Sequence, residues 1–541
     1  MLKSFIDRKK NEKDYTQPKD KFLKKSNLGS VHRDTKNYLY HNSNKEVSNI
    51  NKQSQQSQQS QPQQQQLQQV PNIIKQQQVP NEVLDIDFKN NEFIYNLTGD
   101  IYDNFSYTLL QFSGTIDSLD ISAINPDTGG PTSSVYLLKM NWESNISQVI
   151  DSTFLFTYDG VRESYQYAQL KFLSDGDIIV LSGYTQNITF KDTSENPVSI
   201  NSVTDGNYFI ARFNMDVSNG LVGGVKWIVP ITAFSDQYVE FCIDPNDNIY
   251  IVGTYQNTVR LGYIGGPSMT SNLNNDMFLA RMNSSGEVIW LRSSNKDDPN
   301  KSNGIIRGES ITFNLSNSTD RITAIGQYSS TFKYSNSDQD YIYLENLSDI
   351  SYLLWVAQFD LDGNIIWMRT VTASVENIPV LNSYIDGYQI IYDFSSTLYI
   401  TGIYRGFYIF NPNNGIVGSE LNTIYVASMD TEGTWLNSNQ ILIDLPLNET
   451  EWFPHLVYTD KLYASVYGLG DIIYDNTLIT GNKNISLWVN ALENGSWGAP
   501  FSIQANIPNP SINTISYFGR LLIIGTYIIT LNNTNGYSKL L

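Results

Sequence analysis

The chain has 541 residues, of which 40% are hydrophobic, 13% aromatic and only 16% charged, and its formal net charge is −19. An acidic surface repels a phosphate backbone, so no nucleic-acid partner is expected for the folded part. With Cys242 as the single cysteine, an intrachain disulfide framework is excluded. No run approaches the ~18 apolar residues of a membrane helix.

Residues 1–80 read as a disordered tail. Charged and polar residues dominate to Ile50, with basic runs at Arg8-Lys9-Lys10 and Lys24-Lys25, and a glutamine tract then runs from Gln53 to Gln69. Such a segment buries too little apolar surface to offset its ordering entropy, and Pro62, Pro71 and Pro80 oppose β-stacking. A flexible tether is expected, or a basic tail that docks on an acidic partner. Met1–Lys10 lacks the apolar core of a secretory leader. The expectation is a soluble protein, intracellular or virion-associated.

From residue 81 the pattern changes to short strands. The stretch Phe241–Tyr255 reads as two strands around the turn Asp244-Pro-Asn-Asp-Asn248, with Pro245 presetting φ and Asx side chains bonding their own backbone. Related stretches end on Gly183, Gly326, Gly402 and Gly525. Weaker copies reach Gly114 and Val466, which gives seven. Their spacing of about 60–75 residues is long for four strands, so generous connections are expected. Runs such as Ile249-Tyr-Ile-Val252 and Leu521-Leu-Ile-Ile524 are apolar at successive positions, as in strands covered on both faces.

A second unit alternates with the first. Phe278-Leu-Ala-Arg-Met-Asn leads through Gly286 to Trp290, and Trp355-Val-Ala-Gln-Phe-Asp through Gly363 to Trp367. Looser copies lead to Trp227, Trp435 and Trp497, and Tyr136-Leu-Leu-Lys-Met-Asn precedes Trp142. Hairpin plus hairpin makes a four-stranded antiparallel sheet. Repetition points to an all-β, seven-bladed β-propeller over residues 81–541, each Trp lying flat between blades. Too few residues follow Gly525 for a full seventh sheet, so Val83–Phe88 and Glu92–Asn96 are expected to complete it, closing the ring with both chain ends.

The turn Ile243–Gly253, together with Phe-x-Ala-[Arg/Gln]-x-[Asn/Asp]-x-x-Gly-x-x-x-Trp, resembles the bacterial-type β-propeller (SBBP) repeat over roughly residues 100–530. That resemblance implies a propeller and a structural or binding role, with no activity of its own. The Ala357, Gly363, Trp367 spacing is also similar to the Trp-docking repeat of quinoprotein dehydrogenases. The vicinal cysteine pair usual in those enzymes is absent, so no cofactor is carried over. The Asn-, Tyr- and Gln-rich style is similar to chains from A/T-rich genomes, including amoebae and the giant viruses that infect them.

Little in the sequence points to chemistry. His32 and His41 lie in the tail, which leaves His455 for any histidine-based catalysis, and it reads as a residue packed on Trp452 and Phe453. Cys242 reads as a buried apolar thiol. Asp360-Leu-Asp-Gly-Asn364 resembles the start of a calcium loop but has Val371 where the closing Glu belongs, so it reads as a turn. No metal site, cofactor or catalytic residue is assigned. The sequons at Asn145, Asn187 and Asn346 carry no sign of secretion. The expected function is a non-enzymatic, monomeric interaction or structural module for a protein or carbohydrate partner, a virion component being one concrete version. The rival is a glycan-acting hydrolase or lyase with carboxylates in a central funnel.

Overall fold

The structure is a computed structural model. It describes strands between Asp85 and Lys539, with side chains chiefly over 133–158, 168–293 and 305–436; residues 1–84, which hold the expected tail, and the longer connections lie outside the described residues. Met1–Pro71 and Asn72–Leu541 form separate units, and the described strands all belong to the second.

Among the described residues every regular element is a β-strand, and every pair of strands is antiparallel. Four-stranded meanders succeed one another along the chain. The first joins Phe93–Tyr102, Phe105–Ile116, Ser133–Asn141 and Gln148–Tyr158. The second joins Ala168–Phe172, Ile178–Gly183, Tyr208–Phe213 and Val225–Thr232. Val239–Ile243, Ile249–Tyr255, Asp276–Met282 and Val288–Ser293 form the third. Ser310–Asn314, Arg321–Tyr328, Leu353–Phe359 and Ile365–Thr370 form the fourth. The fifth has Tyr384–Tyr392, Leu398–Ile409, Val417–Met429 and Trp435–Leu445. In the sixth, Phe453–Tyr458, Leu462–Leu469 and Ile485–Glu493 are joined by Ser496–Trp497 and Phe501–Ala505.

The turns form for a local reason. Asp244 Oδ1 accepts the backbone N–H groups of Asn246 and Asn248 at 2.9 and 2.8 Å, and Asp247 takes φ +62°. Asn283, Asp360, Asp393 and Asp430 repeat that geometry, with Gly286, Gly363, Ser396 and Gly433 at the left-handed position. The calcium-like stretch at Asp360 is therefore an Asx turn whose oxygens are taken by Asp362 and Asn364.

Core packing runs from sheet to sheet. Along Ile178–Gly183, Ile178 and Val180 join a cluster with Tyr107, Leu109 and Phe156 of the first sheet, whereas Ile179 and Leu181 join one with Ile249, Ile251 and Phe278 of the third. The third sheet repeats this, since Tyr250 and Val252 pack with Ile325, Trp355 and Val356 of the fourth. Successive side chains of a strand point to opposite faces, so each second strand is buried on both. A tryptophan clamps each of three junctions. Trp227 Nε1 donates to Ser284 O at 3.0 Å, Trp290 Nε1 to Leu361 O at 3.1 Å and Trp367 Nε1 to Thr431 O at 3.1 Å. Each indole lies against the left-handed glycine of the next turn, where a Cβ on Gly286, Gly363 or Gly433 would come within about 3 Å of the ring.

The register corrects several expectations. Phe278, Trp355 and Tyr425 lie opposite Gly253, Gly326 and Gly402, but Phe209 lies opposite Ser182 and Tyr136 opposite Leu110. Gly183 is thus one residue late, and Gly114 sits farther along, opposite Ala123. Trp435 and Trp497 occupy the place of Val288 and Ile365, two residues before the clamping position. Trp142 comes directly after the third strand and lies outside the described residues. Asp85–Asp87 pairs with Tyr537–Lys539 in a two-stranded sheet, and Phe93–Tyr102, whose N-terminal part was expected in a shared last sheet, is the first strand of the first sheet. Leu522–Ile524 pairs with Tyr527–Ile529, so Tyr527 begins a second strand instead of closing the first.

The long connections are arms. The hairpin Ile188–Lys191/Pro197–Ile200 leaves the second sheet and adds to the fourth strand of the first, with Phe190 opposite Phe156. Thr258–Leu261 and Ile472–Tyr474 likewise extend the second and fifth sheets, covering edges that would otherwise stay unpaired.

Deleting residues 83–97 removes Asp85–Asp87 and half of the first strand of the first sheet and is expected to abolish cooperative unfolding, whereas deleting 1–75 leaves the melting temperature unchanged, as measured by scanning calorimetry. Gly363→Ala is expected to lower stability by more than the ~1–3 kcal/mol of left-handed strain, because Trp290 is displaced. Gly265→Ala, with nothing within 4 Å, should lose the strain alone in denaturant titration.

Candidate functional site

The first strand of each sheet has one neighbour in its own sheet, so its other edge presents bare backbone N–H groups. The structure satisfies one of these groups at each of four successive junctions. Gln169 Oε1 accepts from Phe241 N at 2.9 Å, Glu240 Oε2 from Ile311 N at 3.1 Å, Ser310 Oγ from Ile390 N at 3.3 Å and Gln389 Oε1 from Leu456 N at 2.5 Å. Each acceptor occupies the same register in its sheet, and Gln169 Nε2 also bonds Glu240 Oε1 at 2.7 Å. His455 stands at that register in the sixth sheet, opposite Ser465. The side chains of Gln169, Glu240, Ser310 and Gln389 are latches from one sheet to the next.

A second polar group lies where the first strands of the fourth and fifth sheets begin. Arg307 and Asp386 share one register, three residues before Ser310 and Gln389. Their carbonyls accept from Trp355 Nε1 at 2.8 Å and Tyr425 Oη at 2.9 Å. Those donors cross over Gly326 and Gly402, where a Cβ would strike the same carbonyls. Gly308 packs on Val252 and Gly253 and is bonded to Thr254, which fixes its neighbours. Glu309 is 9% exposed. Arg307 and Asp386 are half-buried, and the Arg307 guanidinium lies 5.6 Å from the Tyr352 ring centre.

Burial raises the Glu309 carboxyl well above the usual range, the nearby Asp386 charge adds to this and Arg307 opposes it. Burial also pushes Asp386 up to about 7, with Arg307 opposing. The Gln327 side chain reaches both carboxyls. Yet Arg307 Nε, Glu309 Oε1 and Asp386 Oδ1 are enclosed without hydrogen-bond partners.

Other candidates fall elsewhere. Cys242 is buried and burial raises its thiol, so it is no nucleophile. It lines a cleft of about 450 Å³ at the turn end, with Lys171, Phe172, Pro245 and Phe313, and with Ser174 bonding Asp247 in the same lining. Asp177 pairs with Arg212 and Lys226, both at 2.6 Å, and Arg212 shares the Ser284 carbonyl with Trp227. Asp276 is fully buried, accepts from Ser294 and Ser271, and is pushed up to about 7 by burial. Asn145 and Asn346 lie outside the described residues. The sequence reading missed the Arg307–Asp386 cluster. Its signal was the charged residue before glycine in Arg307-Gly308 and Asp386-Gly387, in register ahead of each first strand.

No protein-family model and no curated protein matches the chain. Among solved structures, the crystal structure of a thermostable family-43 glycoside hydrolase is similar at a TM-score of 0.31 with 11% identity, covering 78% of this chain and 98% of that one.

Asp276 holds a proton in the fold up to pH about 7 but releases it near pH 4 when unfolded. Its stabilising contribution is therefore full below pH 4 and lost as pH rises to 7. Asp276→Asn is expected to flatten the pH dependence of urea unfolding over that window by about one proton; an unchanged slope would show that Asp276 ionises normally.

Proposed function

We propose that residues 81–541 form a seven-bladed β-propeller of bacterial-type β-propeller repeats, closed where Asp85–Asp87 meets Tyr537–Lys539, and that it is a non-enzymatic binding module. The observation that carries this reading is the fate of the polar side chains on the first strands. Gln169, Glu240, Ser310 and Gln389 are spent on the backbone of the neighbouring sheet, which serves rigidity rather than turnover. A rigid scaffold that presents loops at one end is a common way to build a site for a protein or carbohydrate partner. A structural place in a virion is compatible with the same scaffold.

A second reading is favoured by one observation. Burial raises both the Glu309 and the Asp386 carboxyl, as it would an acid and base for glycoside cleavage. Reducing-end release from a panel of polysaccharides separates the two. The module reading predicts no release above the buffer control. Release that disappears in Asp386→Asn would replace it with the hydrolase.

A further inference from the structure

We propose that Arg307, Glu309, Gln327 and Asp386 form a binding site for a hydroxyl-rich ligand, a sugar residue of a glycan. This inference rests on reading the chain as a binding module and names the site and ligand class.

Three enclosed atoms of the cluster lack partners: two carboxyl oxygens that accept and one guanidinium N–H that donates. A buried polar atom without a partner costs about 1–3 kcal/mol, so the chemistry that meets all three is selected. An ammonium group would donate to both oxygens but would face Arg307 with like charge. A carboxylate or fully ionised phosphate would accept from Arg307 but bring no hydrogen to the two carboxyl oxygens. A hydroxyl both donates and accepts, and two neighbouring hydroxyls on one ring satisfy the whole set.

The site is also held in place before any ligand arrives. The Arg307 and Asp386 carbonyls are pinned by Trp355 and Tyr425. Arg307 N and Glu309 N donate to the carbonyls of Gln327 and Ile325 at 2.8 and 2.9 Å. The guanidinium rests on Tyr352. Preorganisation of this kind lowers the ordering cost of binding. Arg307 and Asp386 are each only half-buried, so solvent reaches those residues though not the three unpartnered atoms.

The test uses the full chain on a printed array of neutral hexose, pentose and N-acetylhexosamine oligosaccharides, then calorimetry with the strongest binder. At least one oligosaccharide should bind. Glu309→Gln, Asp386→Asn and Arg307→Met should each weaken it tenfold or more, and Lys171→Ala at the turn-end cleft should not. In wild-type protein, which needs no variant to fold, the bound sugar should slow hydrogen exchange at residues 307–309 and 385–387. Absence of any glycan binding, undiminished binding in the variants, or protection elsewhere overturns the proposal. A protein partner captured in the absence of glycan binding would overturn it too, while sparing the binding-module reading. Glycan cleavage lost in the same variants would support the site and overturn the non-enzymatic reading.

Discussion

The structure depends on a sheet whose two faces are both apolar. Ile178 and Val180 look one way and Ile179 and Leu181 the other, into separate cores. A strand of this kind cannot sit at the end of a stack, because one face would meet water at roughly 25 cal/mol for each Å² left uncovered. Each sheet needs a neighbour before it and a neighbour after it. A linear array fails that requirement at both ends, and a closed one meets it everywhere. Asp85–Asp87 pairs with Tyr537–Lys539, and the proposed closure rests on that contact.

Apolar burial alone does not fix how one sheet sits on the next. Directional contacts do that, at up to three levels of a junction. At the turn end, Trp227, Trp290 and Trp367 donate to carbonyls of the next turn, and Arg212 and Arg281 share acceptors with the first two. Midway, Gln169, Glu240, Ser310 and Gln389 latch the next first strand. At the entry end, Gly308 and Gly387 let the backbone approach the preceding sheet, with Leu354 and Ile325 filling the space beside Gly387. That end also carries the cluster whose polar atoms are not consumed by the scaffold. Structure and candidate site thus divide the polar residues of the first strands between them.

Much of the architecture was legible from residues. Consecutive apolar positions in Ile249–Val252 announced strands buried on both faces, and Asn/Asp-x-x-Gly turns before Trp290 and Trp367 announced the second hairpin. The register was less legible, because glycine is only one solution to close approach. Ser182 and Leu110 take the same place, and their partners Phe209 and Tyr136 accommodate them. Trp435 misled for a similar reason: at the position of Val288 a large ring still packs, against Phe410 in an edge contact at 5.0 Å. The arms could not be read at all, because the strand that each one joins is set by the fold and not by its own residues. The cluster of Arg307, Glu309 and Asp386 was hidden because its members come from two sheets and sit some eighty positions apart in sequence, a separation that only the fold removes.

Closure is the claim on which the rest stands, and it can be measured without a map. Ile86 lies opposite Ser538 in the terminal pair, close enough for a disulfide between opposed strand positions, and the native Cys242 is buried out of reach. In the Ile86→Cys, Ser538→Cys double variant, mild oxidation of the folded protein should give an intramolecular cross-link with raised thermal stability. Free thiols after oxidation, or cross-links only between molecules, would contradict a closed array.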